Sequence, residues 1–371
     1  MNKLFEKSLI NGLELKNRFV RSATWEGMAD EDGNPTPKLL ETMTALGAGG
    51  VGLIITSHTF VSPEGRATPW QLAIDKDERI DGLKKMTDAV HTAGGRIAVQ
   101  LAHAGAFAAA ALSGMPRLVA SPATGPDPTP QKEMDGKDLK AVIAAFAAAA
   151  GRAKAAGFDG LQIHSAHGYL LSQFLSPAFN RRRDEYGGDM DNRSRIHREI
   201  CHAIRDMVGN DFPLLIKING RDFIENGLTA DDAAMAVRLL AAAGVDAVEL
   251  SDGTIVSGKL SPSRSRINAP EREAYFREEA QKLREAVNLP LILVGGNRSF
   301  EVSDLLVADG TADYISMSRP FIREPGLIRR WQEGDLRKAE CISDNLCFAP
   351  ALEGRGVYCV TRERELQQQT T

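Results

Sequence analysis

Apolar residues along this chain gather into short, nearly unbroken runs that end on polar or small residues. Longer stretches with helical spacing separate them. Eight runs stand out: RFVRS at 18–22, GLIITS at 52–57, RIAVQL at 96–101, GLQI at 160–163, LLIKI at 214–218, AVEL at 247–250, LILV at 291–294 and YISM at 314–317. A run without polar alternation predicts a strand buried on both faces, as in a parallel sheet. Helical patterns precede six of them, over 80–93, 137–156, 194–208, 229–243, 271–287 and 299–308. Gly157 and Gly244 follow two of these patterns and suit helix C-termini. Thr229, followed by Asp231 and Asp232, suits a cap with acids in the first turn.

Eight strands alternating with helices predict an α/β fold, a closed (β/α)₈ TIM barrel. The rival, an open doubly wound sheet, calls for a G-x-G-x-x-G turn after its first strand. Here that strand runs into Ser22-Ala23-Thr24-Trp25. Two segments are extra. Residues 4–15, broken by Asn11-Gly12, predict a hairpin that plugs the barrel bottom. Residues 104–134, rich in Ala, Pro and Gly, form a long loop after strand three, read as a lid or a solvated insertion. The expected organisation is a barrel over 1–335, with its hairpin at 1–16 and lid at 104–134, and a C-terminal extension over 336–371.

Composition narrows the class of protein. The 371 residues are 43% apolar and 25% charged with a net charge of −4, ordinary for a globular protein. No basic tract points to nucleic acid, and no run is long enough to cross a membrane. Four cysteines in this length make no disulfide scaffold. The mixed polar sequence after Met1 shows no signal-peptide core, so a cytoplasmic protein is expected.

Active sites of such barrels lie at the C-terminal ends of the strands, and those ends are unusually polar here. Ser22, Ala23, Thr24 and Trp25 follow strand one, His58 strand two, and Gln100 and His103 strand three. His164, His167 and Tyr169 follow strand four, and Lys217 sits in strand five. Gly295 and Gly296 after strand seven offer open backbone N–H groups; Ser318 and Arg319 after strand eight add donors and charge. Those two loops suggest a phosphate site, the alternative being a tight turn beside a structural arginine. His164 and His167 could bind a metal, although no third ligand of suitable spacing is evident. They could instead donate to a substrate oxygen, or pack a turn. Tyr169, a phenol with pKa near ~10, can donate a proton.

Several motifs together carry a family resemblance. They are LKNR at 15–18, SPEGR at 62–66, QLAHAG at 100–105, HSAHGYLLSQFLSP at 164–177 and NRRRDEYGG at 180–188. With these the chain resembles the old yellow enzyme family, FMN-dependent NADH:flavin oxidoreductases and ene-reductases, from Lys3 to about Ile328. The resemblance implies FMN at the barrel mouth and NADH or NADPH as reductant. It implies Ala23 and Thr24 beside the flavin ring, with His58 as a ring-contacting residue and Gln100 on the pyrimidine side. Lys217 would lie near N1 and O2, and Gly295, Gly296, Ser318 and Arg319 on the ribityl phosphate. His164 and His167 would hold the electron-withdrawing group of an activated alkene such as an enone, enoate or nitroalkene. Flavin N5 would then deliver hydride and Tyr169 the proton.

The pattern departs from the family in two places. Trp25 stands where many members have Thr or Cys, and it either narrows the pocket, alters the flavin potential or simply packs. Cys341, Cys347 and Cys359 follow the barrel with spacing C-x₅-C-x₁₁-C. Longer relatives of the 2,4-dienoyl-CoA reductase type bind an iron–sulfur cluster there through four cysteines, and Asp344 falls near the place of the missing one. No iron–sulfur cluster is expected; the tail reads as a remnant or a three-cysteine metal site. Cys201 reads as helix packing. The alternatives to alkene reduction are a flavin barrel acting on an enoyl- or dienoyl-CoA or an amine, and a flavin-binding protein without turnover. A second copy of the chain is a candidate partner.

Overall fold

In the computed structural model, residues 2–123 and 129–369 are described. The eight predicted runs all form strands. After a hairpin of β1 (Ser8–Ile10) and β2 (Leu13–Leu15) come β3 (Phe19–Arg21), β4 (Leu53–Phe60) and β5 (Ile97–Ala102). Two short strands, β6 (Arg117–Val119) and β7 (Gln131–Glu133), pair with each other outside the barrel. Then follow β8 (Gly160–Ser165), β9 (Leu214–Ile218), β10 (Ala247–Leu250), β11 (Leu291–Leu293) and β12 (Tyr314–Met317). The barrel closes in the order β10-β11-β12-β3-β4-β5-β8-β9, with every neighbouring pair parallel. It is a (β/α)₈ barrel, as the alternation of runs predicts.

The predicted helices form as well, for example over Gly136–Ala155 and Ala230–Ala242, where Asp135 and Thr229 each build a capping box. A further helix, Pro37–Ala48, lies between the first two barrel strands. Its signals are local: Thr36 accepts from the Leu39 N–H and Pro37 occupies the first turn.

The hairpin does plug the barrel. Asn11 (φ 43°) and Gly12 (φ 78°) both take positive φ, the two-residue turn that suits a tight hairpin. Ile10 and Leu15 are thereby held in one cluster with Val20, Leu53, Ile55 and Leu215 of the barrel interior. Apolar side chains fill the lower barrel, so it is a packed core and not a pore.

The insertion over 104–134 includes residues 124–128, which lie outside the described residues. Its described part is anchored by Arg182 of the NRRRDEYGG motif. Arg182 Nη1 donates to the carbonyls of Ala120 (3.2 Å) and Met134 (2.9 Å), and its other edge pairs with Asp184. The start of the insertion reaches the barrel mouth, where the Phe107 ring lies 6.5 Å from that of Tyr169. The C-terminal segment folds back onto the barrel: Arg298 Nη2 donates to the Ala339 carbonyl (2.9 Å), and the Val357 N–H to the Glu26 carbonyl (2.8 Å). Among the described residues, no helix is long and apolar enough to cross a membrane.

Candidate active site

Strand periodicity turns the upper barrel polar. Each strand side chain points inward at every second residue, so Leu215 leads to Lys217, Ala247 to Glu249, Ala98 to Gln100 and Tyr314 to Ser316. These upper positions bond to one another. Glu249, fully buried, accepts from Ser22 Oγ (2.7 Å), Gln162 Nε2 (2.8 Å) and Ser316 Oγ (2.8 Å), and pairs with Lys217 Nζ at 3.2 Å. Gln100 Nε2 donates to Gln162 Oε1 at 2.7 Å. Burial pushes the Glu249 carboxyl up, but the Lys217 charge and the three donors outweigh it and hold it below its usual value. Burial lowers the Lys217 ammonium, and Glu249 opposes that shift.

This network floors a cleft with two continuous parts, which share Ala23, Trp25, His167, Lys217, Pro262 and Ser263. One part runs out to the loops after β11 and β12. There Gly295 (φ 139°) and Gly296 (φ 77°) form a turn that excludes side chains: a Cβ on Gly296 would lie 2.7 Å from Tyr275 Cε1. Ser318 Oγ and Thr24 Oγ1 lie 2.7 Å apart, which ties the end of β3 to the loop after β12. Arg319 Nη1 donates to the Arg264 carbonyl (2.8 Å) and to Asn345 Oδ1 (2.5 Å). Among the described residues, no carboxylate pairs with this buried guanidinium. A glycine turn beside an unpaired, buried cation has the chemistry of an anion site, so the residues fit the phosphate of a flavin mononucleotide. Phe348 of the C-terminal segment lines this part and Asn345 holds Arg319, a contribution that barrel periodicity does not signal.

The other part is a cavity of about 350 Å³ lined by His58, Gln100, His164, His167 and Tyr169, with Ile255 and Ser261 from the loop after β10. His164 and His167 have ring centroids 5.2 Å apart, and His164 and Tyr169 4.9 Å. His164 Nδ1 is buried without a hydrogen-bond partner among the described residues. His167 sits at φ 65°, held by its N–H to Asn219 Oδ1 (3.0 Å), and its Nε2 lies 2.8 Å from Ser251 Oγ. Its Nε2 is thus taken by protein, which leaves Nδ1 as its free nitrogen. Burial, then the neighbouring His167, His58 and Lys217, keep His164 well below its ordinary value. Burial does the same for His167, so both rings are neutral donors at neutral pH. Burial pushes the Tyr169 phenol up to about 12, which keeps it protonated.

His58, expected at the flavin ring, lines the cleft and also lies against Tyr169, with its Nε2 3.5 Å from the Tyr169 hydroxyl. His103, grouped with the polar face by sequence, does not line the cleft. It packs under Gly65, where a Cβ would meet its ring at 2.5 Å, and its Nδ1 accepts from the Gly105 N–H at 3.1 Å. Glu249 belongs to no motif of the sequence. Its one signal is a lone acid in an apolar strand, and only the β9–β10 register, which pairs Glu249 with Lys217, gives that acid meaning.

Cys341, Cys347 and Cys359 border one small cavity with Arg323 and Asp344. Cys359 Sγ accepts from Arg323 Nη1 (3.7 Å) and the Arg362 N–H (3.4 Å), while Asp344 accepts from Thr361 Oγ1 (2.5 Å). Among the described residues, no three His, Cys, Asp or Glu side chains are grouped to hold a metal ion. The residues therefore do not fit a four-cysteine cluster. Cys201 is buried in its helix, where burial pushes its thiol up to about 12.

The barrel thus carries an anion cradle and a histidine–tyrosine cavity, joined in one cleft at its C-terminal mouth. Residues 3–337 match the sequence profile of the NADH:flavin oxidoreductase / NADH oxidase family, and the chain belongs to it, a family of FMN-dependent NAD(P)H oxidoreductases. The NADH oxidase of Thermoanaerobacter brockii is 34% identical over 352 residues, 92% of this chain and 53% of that protein. The NADPH dehydrogenase of Bacillus subtilis is 35% identical over 331 residues, 88% of this chain and 93% of that protein. Among solved structures, the old yellow enzyme homologue from Zymomonas mobilis matches with a TM-score of 0.78 at 25% identity, over 97% of this chain and 98% of that one. The chain spans about half the length of the first curated relatives it matches, 53% and 55%.

Proposed function

We propose that this chain is an NAD(P)H-dependent ene-reductase that reduces carbon–carbon double bonds activated by a carbonyl or nitro group. The observation that carries the reading is the meeting of a protonated, half-buried phenol and two neutral imidazoles in one cavity that continues into the anion cradle. In this reading Gly295, Gly296, Ser318 and Arg319 hold the FMN phosphate, and Ala23, Thr24, Trp25, Gln100 and Lys217 surround its ring. FMN held there would supply the hydride-transfer chemistry between NAD(P)H and the substrate. The His164 imidazole and the free His167 Nδ1 supply N–H groups to the substrate oxygen, which draws charge toward it. Tyr169 donates its proton to the α-carbon. His164 is buried and His167 and Tyr169 are half-buried, so few waters compete with these dipoles.

The test is anaerobic reduction of purified protein with NADH or NADPH, followed by cyclohexenone or a nitroalkene. Flavin should bleach with the nicotinamide and recover with the alkene. His164→Ala should keep its flavin and lose alkene turnover by roughly 10²–10³-fold, the usual loss of one such donor. Full turnover in that variant would remove the assignment.

A further inference from the structure

We propose that His58 is a positioning residue for Tyr169: its Nε2–H donates to the phenol oxygen, aims the phenol hydrogen at the substrate and stabilises the phenolate left after proton transfer. This rests on the reading of Tyr169 as the proton donor.

The backbone of β4 is built to bring His58 there. Along β4 and β5 the register runs Ile54↔Ile97, Ile55↔Ala98 and then His58↔Gln100. Three steps on β4 match two on β5, so β4 carries one extra residue. Such a bulge re-aims the side chain that follows it, and bulges concentrate beside active sites. Thr56 repairs the ladder at that point: its Oγ1 accepts from the Gln100 N–H (3.2 Å) and donates to the Ser57 carbonyl (3.0 Å). Gln71 Nε2 holds the far side by donating to the His58 carbonyl at 3.0 Å.

The bulge leaves the His58 ring edge-on to Tyr169, with centroids 5.5 Å apart and Nε2 3.5 Å from the hydroxyl oxygen. That is the outer limit of a hydrogen bond, and catalytic contacts of this kind commonly tighten when substrate binds. Among the described residues, no other side chain is within hydrogen-bonding distance of the Tyr169 hydroxyl. The phenol is half-buried in the cavity wall, and desolvation there disfavours its phenolate, so the charge left on the oxygen calls for a donor beside it. A neutral imidazole can supply that missing donor through Nε2–H. During the step one O–H bond of Tyr169 breaks and one C–H bond forms on the substrate, while the His58 N–H stays on nitrogen and its hydrogen bond becomes charge-assisted.

Two variants separate the ring from its donor. His58→Phe keeps an aromatic ring without nitrogen, and His58→Gln keeps an N–H donor. Each is loaded with FMN, checked for flavin content, and assayed with cyclohexenone and with a quinone, whose reduction needs no proton at carbon. His58→Phe should slow the alkene at least about tenfold more than the quinone and raise the solvent deuterium effect on alkene turnover, and His58→Gln should recover most of both. Equal slowing of the two substrates, or no recovery by His58→Gln, would overturn the positioning role. Tyr169→Phe in parallel tells the two ideas apart: if it retains alkene turnover, the proton-donor reading itself falls.

Discussion

At the scale of single residues, the cleft depends on a buried ion pair more than on any exposed charge. Lys217 and Glu249 have almost no exposed side-chain surface, 3% and 0%, and they share Ser22. Removing one partner leaves the other charge uncompensated, which costs about 3–5 kcal/mol in comparable buried pairs. Glu249→Gln should therefore destabilise the protein by that order in urea unfolding and weaken retention of FMN. The same variant should change the acid limb of stability. Glu249 has a folded pKa below its unfolded value of about 4.3, so its contribution is present above that pH and is lost as pH falls through the lower folded value. In Glu249→Gln that loss should vanish below about pH 4, measured as the difference between two pH–stability curves.

At the scale of elements, the informative part is the irregular half of β4. A regular strand would keep one face inward throughout, and the extra residue changes which side chain meets the mouth of the barrel. Thr56→Val keeps the volume and removes the hydroxyl that both accepts and donates there. Leaving the buried Gln100 N–H unsatisfied should cost about 1–3 kcal/mol in thermal unfolding. Turnover should fall beyond what lost stability explains, because His58 follows the bulge and Gln100 lies directly across it. A Thr56→Val enzyme with lower stability and wild-type alkene turnover would separate the bulge from the chemistry. The strands themselves were readable because they are buried on both faces and so lack polar interruptions. The bulge was not, since an extra residue in an apolar run leaves the composition of that run unchanged.

At the scale of the whole molecule, burial of histidine sets the pH range in which the fold is stable. Five of the seven histidines have depressed values. Burial lowers His58 and His103 to about 4 and His197 to about 3. A histidine with a depressed folded pKa binds a proton first in the unfolded chain. Stability is full above the unfolded value of about 6.5 and falls as pH drops toward the folded one, by up to ~1.4 kcal/mol per pH unit for each ring. Urea midpoints measured from pH 7.5 to 5 should show a steep, cumulative decline. A flat profile over that range would mean that these rings are not held neutral by the fold.

The sequence by itself determined the barrel, its plug and most of the residues at its mouth. Those features are local: continuous apolar runs, an Asn-Gly turn, glycine pairs and polar strand ends all act within a few residues of themselves. Long motifs such as HSAHGYLLSQFLSP carried the family in the same way. The tertiary structure decided which of those residues meet. His58 and Tyr169 are 111 positions apart, and Glu249 and Ser22 227. Barrel closure puts strand one beside strand eight, which brings Thr24 to Ser318. The return of the C-terminal segment brings Asn345 to Arg319. The physical reason is that a buried polar group must find its partner wherever the closed barrel places one, and no spacing along the chain encodes that distance.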